Sequence, residues 1–245
     1  MSFHMKSIKV KLAGVIVCLD LAFEENVQRF EPYVTDGIAE GRLSVSPSRL
    51  YEEIALLKAI NPAREISGAE AENNALYRDV SLFLWEHDIL TFHGVFLEIH
   101  NSGYVFTGPS GIGKSYHASL WQQEFGDSVH IINGDKLFLK LEAHGLMGYG
   151  TPWTGKEHVG VNKWAHVGSI CKIIRGKENS IKSIDNKQNA ISWLIEQSML
   201  KNRQSQHLAL IRWFKAILPE VGLYELTCNK DASAAIVAYN GMNVQ

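Results

Sequence analysis

The sequence is short of cysteine, short of proline and without a long apolar run. Its 245 residues hold three cysteines and six prolines. Cys18, Cys171 and Cys228 lie far apart and are odd in number, with no CxxC or Cys/His ligand spacing. That excludes a thiolate metal site and a disulfide framework, and predicts reduced, buried thiols in a cytosol. Neither sign of charge dominates: 24 Lys and Arg against 26 Asp and Glu leave a formal charge of −2. The basic residues are scattered, so the chain carries no electrostatic footprint for nucleic acid or an anionic membrane. No apolar stretch approaches the roughly 18 residues of a membrane span. Lys6, Lys9 and Lys11 followed by LAGVIVCLDLAF imitate a secretion signal, but Asp20 interrupts the apolar core and no small-x-small site follows. A cytoplasmic protein with no nucleic-acid or membrane partner is expected, with oligomeric state left open.

What is present is enough apolar content, 46%, for a full core in one domain, with a smaller lobe attached. Residues 6 to about 23 read as strand, rich in β-branched positions. Residues 49–60 and 69–86 carry apolar residues at helical spacing, broken around Pro62 and Gly68. The pattern then changes period. Ile89 to Ile99 is strand-like, Asn101-Ser102-Gly103 signals a tight turn, and Tyr104-Val105-Phe106 is a second strand. Helix follows over 115–125, then strands at 129–132, around 137–141 and at 167–174. The Gly-rich stretch HGLMGYGTPWTGKEHVG reads as a hairpin leading into a loop. Helices at about 187–200 and 206–218, a strand at 222–227 and a helix at 231–239 close the chain. The reading is α/β: an N-terminal lobe over 1–88, standing alone or packed into one domain, and a core over 89–245. The hairpin makes one strand antiparallel to its neighbour, so the core sheet is expected to be mixed.

The strand ending at Phe106 runs into Gly108-Pro109-Ser110-Gly111-Ile112-Gly113-Lys114-Ser115, a full G-x-x-x-x-G-K-[ST] phosphate-loop motif followed by an amphipathic helix. Glycines let successive backbone N–H groups turn toward an anion, and the helix adds its positive end. Lys114 neutralises β- and γ-phosphate charge, and the Ser115 hydroxyl can hold Mg²⁺. Such a loop needs a carboxylate at the end of a neighbouring strand. HIINGDK supplies Asp135, able to steady Mg²⁺ or take the proton of an attacking hydroxyl. An Asp in an ordinary strand-end turn is the competing reading.

With His93-Gly94-Val95, the hairpin, GPSGIGKS and the Asp135 strand in place, the segment resembles the catalytic core of HPr kinase/phosphorylase. That core shares its phosphate-loop architecture with ATP-dependent phosphoenolpyruvate carboxykinase. The chain is similar above all to a clostridial-type subgroup of uncharacterised HPr-kinase-like proteins. The shared stretches are DILTFHG, GKSYHASLW, FGDSVHIINGDK, YGTPWTGKE, KENSI and CNKDASAAIVAYNGM, covering residue 75 to the end. The resemblance implies ATP and Mg²⁺ as cofactors, Asp135 as general base, and His93 as a group that polarises the transferred phosphoryl or tunes Asp135. From the residues alone, a core histidine ending a strand is the stronger reading of His93, and the resemblance is what brings it toward the phosphate. Where the family has Asp-Asp this chain has Gly134-Asp135, and the downstream signature with its glutamate metal ligand has no counterpart.

Five further residues are substrate candidates. His117 matches the subgroup's GKSxH and either faces the cleft or sits on the helix surface. Trp153 beside Lys156 either clamps a substrate or forms a Pro-Trp packing corner. Glu157 is a replacement for the missing metal ligand, and Arg203 a phosphate-stabilising arginine by resemblance only. The remaining tryptophans are expected in the core. The function expected is an ATP-dependent kinase acting on a serine-type hydroxyl of a peptide, protein or small metabolite. The alternative is a catalytically weak nucleotide-binding sensor; carboxykinase chemistry would need a larger substrate domain.

Overall fold

Ala13 and Gly14 split what reads as one long N-terminal strand. Both have positive φ, 47° and 93°, and turn the chain back on itself as a two-residue hairpin. In the computed structural model, which describes residues 5–243, strands β1 (Lys6–Leu12) and β2 (Val15–Leu21) therefore pair antiparallel. After α1 (Glu24–Phe30), β3 (Gly41–Ser44) adds to β2 in parallel. Helices α2 (Pro47–Ile60) and α3 (Gly68–Trp85) complete this unit. Each starts on a serine: Ser46 accepts from the Arg49 N–H and Ser67 from the Glu70 N–H, satisfying one orphan donor apiece. The fully buried Glu53 is held between Arg49 and Arg78 at 3.2 Å from each.

The chain divides into two compact units between Asp88 and Ile89. In the second, β4 (Ile89–His93), β5 (Val95–Ile99) and β6 (Ser102–Thr107) precede α4 (Lys114–Phe125). Then come β7 (Val129–Asn133), β8 (Lys136–Glu142), β9 (Gly145–Tyr149) and β10 (Trp164–Arg175). The unit ends with β11 (Ser180–Ser183), α5 (Ile191–Glu196), α6 (His207–Ile217), β12 (Gly222–Cys228) and α7 (Ser233–Met242). The sheet is mixed, in the order β4-β8-β9-β10-β6-β5-β7, with β12 also on β10 and β11 on β12. Only β10 pairs in parallel, with β6 and with β12; β5 is antiparallel to both β6 and β7. The turn joining β5 to β6 sits one residue earlier than its sequence signal. His100 and Asn101 have positive φ, and Ser102 and Gly103 already belong to β6.

Trp121, fully buried, anchors the core between α4, α7 and the sheet. Its ring lies 5.2 to 5.8 Å from those of Tyr104, Phe106, Phe125 and Tyr239, the separation at which tilted aromatic pairs attract. Trp164, by contrast, is 66% exposed, so the expectation that it packs in the core does not hold. The helix expected over 187–200 is also shorter. It ends at Glu196 because residues 197–199 turn to pair with the outer edge of β4: the His93 N–H donates to Gln197 O, and the Met199 N–H to Thr91 O. Backbone pairing along that edge outcompetes further helix and covers an otherwise open strand.

Candidate functional site

Because β6 and β7 both run antiparallel to β5, they point the same way and end where β5 begins. Three segments meet there: His93–Gly94, the glycine loop after β6, and the turn after β7. Direct bonds tie them together. Thr107 Oγ1 donates to the His93 carbonyl at 2.7 Å, and the Gly94 N–H to the Asp135 carbonyl at 2.9 Å. A Cβ on Gly94 would lie 3.0 Å from both Phe106 O and Val105 Cγ1, which is why a glycine stands between His93 and Val95.

Gly108, Gly111 and Gly113 all have positive φ (144°, 75° and 116°), a conformation that carries little penalty only for glycine. No side chain caps α4, whose N-cap is Gly113, so its first-turn N–H groups lack a side-chain acceptor. Nothing stands within 4 Å of a Cβ built at Gly111 or Gly113. Lys114, 8% exposed, folds its ammonium onto the loop's own Gly108 and Pro109 carbonyls at 3.1 and 3.3 Å. Burial lowers its pKa, partly offset by the Asp135 charge. Arg175, which the sequence does not flag, holds the loop from outside through the Gly111 and Ile112 carbonyls. A helix end with no side-chain cap, an open glycine rim and a lysine on the loop's own carbonyls are a set that can take a polyphosphate.

Asn133, fully buried, pins the turn carrying Asp135. Its Oδ1 accepts from the Asp135 and Lys136 N–H groups at 2.9 and 2.8 Å, while its amide donates to Thr151. The signal for this role was an Asn two residues before the Asp, a side chain that bonds the backbone ahead of it. His93 Nε2 approaches Asp135 Oδ1 at 3.2 Å, and Lys136 Nζ closes on Oδ2. Lys136 stands opposite His93 in the β4–β8 register, a partner visible only once the strands are paired. Burial alone would raise the Asp135 pKa; the His93 hydrogen bond and the Lys136 charge outweigh it and hold the carboxyl at about 2.

Gly134 has no room for a side chain. A Cβ there would lie 2.8 Å from Thr154 O and 3.0 Å from Val159 O. The Gly134 N–H itself bonds to Val159 O at 3.0 Å. The loop between β9 and β10 is thus seated on Gly134. On the far side of that loop, a Cβ on Gly155 would meet Asp135 Cβ at 2.9 Å.

The other candidates separate. Trp153 is 5% exposed and packs on Phe138, ring centroids 6.2 Å apart. Its buried ring fits the packing corner, while Lys156 and Glu157 further along the same loop are exposed. Among the described residues, no hydrogen bond or ion pair joins Lys156, Glu157 or the exposed Arg203 to the Asp135 cluster. His117 is neither on the helix surface nor in open solvent. It is 2% exposed, against Phe106 and Trp121, and burial pushes its pKa down to about 4. The i,i+4 spacing of His117 and Trp121 was the signal for that inward face. No group of three or more His, Cys, Asp or Glu side chains suited to a metal occurs among the described residues. Mg²⁺ commonly uses one or two protein oxygens beside phosphate, and Ser115 with Asp135 matches that minimal donor set. No helix among the described residues is long and apolar enough to cross a membrane.

No family model and no curated protein matches the chain. Among solved structures, it is similar to the Hpr(Ser) kinase/phosphatase from Coxiella burnetii at 14% identity and a TM-score of 0.37. The likeness covers 61% of this chain and 94% of that one. A likeness that distant carries no functional argument.

Proposed function

We propose that the unit from Ile89 onward is an ATP-dependent phosphotransferase acting on a serine-type hydroxyl of a peptide, protein or small metabolite. The observation that carries the reading is the meeting of the open loop Gly108–Ser115 with the His93–Asp135–Lys136 cluster at one sheet edge, joined by the Thr107–His93 and Gly94–Asp135 bonds. In this reading the loop N–H groups and Lys114 hold the β- and γ-phosphates, and Lys114 leaves the Gly108 and Pro109 carbonyls to do so. Ser115 and Asp135 are the residues that would hold Mg²⁺; bound there, the ion supplies charge neutralisation between the phosphates. The acceptor oxygen attacks the γ-phosphorus in line while the bond to the bridging oxygen breaks, leaving a nucleoside diphosphate. Asp135 takes the hydroxyl proton, and His93, 3.2 Å away, fixes the carboxylate's orientation. A carboxylate held at about 2 is a weak base, but a loose phosphoryl-transfer transition state needs little proton abstraction before the bond breaks.

The second reading, a nucleotide-binding sensor with little turnover, is favoured by two observations: Lys136 neutralises Asp135, and the loop backbone closes the Gly134 seat. Full-length protein incubated with labelled ATP, Mg²⁺ and a panel of serine-containing peptides and metabolites separates the two. Transfer that falls at least about 100-fold in Asp135→Asn, with ATP affinity kept, supports the transferase. Binding without transfer supports the sensor, and loss of neither binding nor transfer in Lys114→Ala refutes both.

A further inference from the structure

Lys136 follows Asp135 in the chain, and successive residues of a strand point to opposite faces. Here the two side chains meet. Asn133 Oδ1 accepts from both of their N–H groups, at 2.9 and 2.8 Å. The turn pinned in this way brings the Lys136 ammonium onto Asp135 Oδ2, while His93 Nε2 stands 3.2 Å from the other oxygen, Oδ1. Both carboxylate oxygens are thus engaged within the chain itself. An oxygen covered by an ammonium is a poor acceptor of a hydroxyl proton and a poor metal ligand, because the positive charge disfavours either arrival.

Lys114 belongs to the same neighbourhood. Burial lowers its pKa, the Asp135 charge pulls it back up and the Lys136 charge pushes it down again, so both charges act on the Lys114 ammonium. Two ammonium groups therefore share one carboxylate, with Lys114 buried and Lys136 only partly exposed. Positive charge in excess at a partly buried place is disfavoured until an anion completes it. Of the two lysines, Lys114 rests on the carbonyls of its own loop. Lys136 is the one that covers the candidate base, and an ammonium on a flexible four-carbon stem can pass from one oxygen to another.

We propose that Lys136 is a catalytic residue: when ATP binds, its ammonium leaves Asp135 Oδ2 for a non-bridging oxygen of the γ-phosphate. The assignment rests on the reading of Gly108–Ser115 as a phosphate seat and of Asp135 as the base. One ion pair breaks and another forms, with no proton moved. The exchange places a second cation on the group to be transferred, where charge-assisted bonds are strongest. It also uncovers Oδ2 for the acceptor hydroxyl or Mg²⁺. ADP has no γ-phosphate and leaves the Asp135–Lys136 pair closed, so the base is freed only when there is a phosphoryl group to transfer.

Equilibrium binding to the full chain tests it, with ADP and the non-hydrolysable β,γ-imido analogue of ATP. Lys136→Met, which keeps the stem and removes the charge, should weaken the ATP analogue about 5- to 50-fold and ADP by less than about twofold. Lys136→Arg should restore most of the lost affinity, and unchanged ADP binding shows that each variant is folded. Removing Lys136 also bares the Asp135 charge, which would repel the γ-phosphate without any contact from Lys136. The same substitution made in Asp135→Asn separates the two causes. A loss of analogue affinity that persists there supports the assignment, and a loss that vanishes there overturns it, because Lys136 then only screens the carboxylate. Equal weakening of ADP and the analogue, or no change in either, also overturns the assignment and leaves the phosphate seat standing. Failure of the unaltered protein to bind either nucleotide overturns the phosphate seat, and the role of Lys136 with it.

Discussion

Replacing Gly134 by alanine adds a single methyl where the structure has the least room for one. The new Cβ would stand 2.8 Å from Thr154 O and 3.0 Å from Val159 O. Both are backbone atoms, so neither can swing aside as the tip of a flexible side chain could. The loop must lift, and in lifting it weakens the Gly134–Val159 hydrogen bond. Overpacking of this kind costs about 1–3 kcal/mol and the lost bond about 1 kcal/mol. For a unit of this size each kcal/mol moves the thermal midpoint by about 2–4 °C, so Gly134→Ala should unfold roughly 4–16 °C lower. Hydrogen exchange should show the Gly134 and Val161 amides, which bond across this contact, exchanging faster. Gly168→Ala is the control, since its Cβ would meet only Gly103 O at 3.8 Å, and it should shift the midpoint far less. A Gly134→Ala midpoint within about 1 °C of the parent, with exchange unchanged, would refute the seating of the loop. Gly134→Asp, which adds a carboxylate to the same Cβ, should be no more stable than the alanine variant for the same reason.

Two further outcomes follow from the same geometry. The Asp135 carboxyl is held at about 2, against an ordinary 3.8, so the folded state binds fewer protons than the unfolded one between those values. Its stabilisation is complete above about pH 4 and is lost as pH falls toward 2. In urea titrations between about pH 5 and pH 3, the parent should therefore lose about 1 kcal/mol more than Asp135→Asn; parallel losses would contradict the ion-paired cluster. Trp153→Ala should cost about 3–5 kcal/mol in denaturant unfolding, the range for truncating a buried aromatic. A change under about 1 kcal/mol would contradict a packing role for the buried Trp153 ring.

Much of the second unit was legible because its signals are local. Gly108–Ser115 is a loop whatever surrounds it, since glycines at three positions and a helix-forming run after Lys114 dictate the backbone there. Alternation and turn residues marked β6, β7, β8 and β12 for the same reason, whereas Ile89 to Ile99, which reads as one stretch, is two strands parted at Gly94. What failed depended on partners distant in sequence. The short strands β3 and β11 carry little alternation and exist because β2 and β12 offer free edges. The helix before Gln197 stops early because β4 offers its outer edge.

The site divides along the same line. Sequence by itself determined that a glycine-rich loop leads into a helix and that an aspartate ends a neighbouring strand, because both are properties of short contiguous segments. Only the tertiary structure decided what those groups touch. Pairing β4 with β8 set Lys136 against His93 and onto Asp135. Folding the β9–β10 loop back filled the seat at Gly134. Packing α4 on β6 turned His117 inward, with its Nε2 committed to Trp121 and its Nδ1 left without a partner. Each depends on distances between segments far apart in the chain, and those are set by the pairing of strands and the packing of the core.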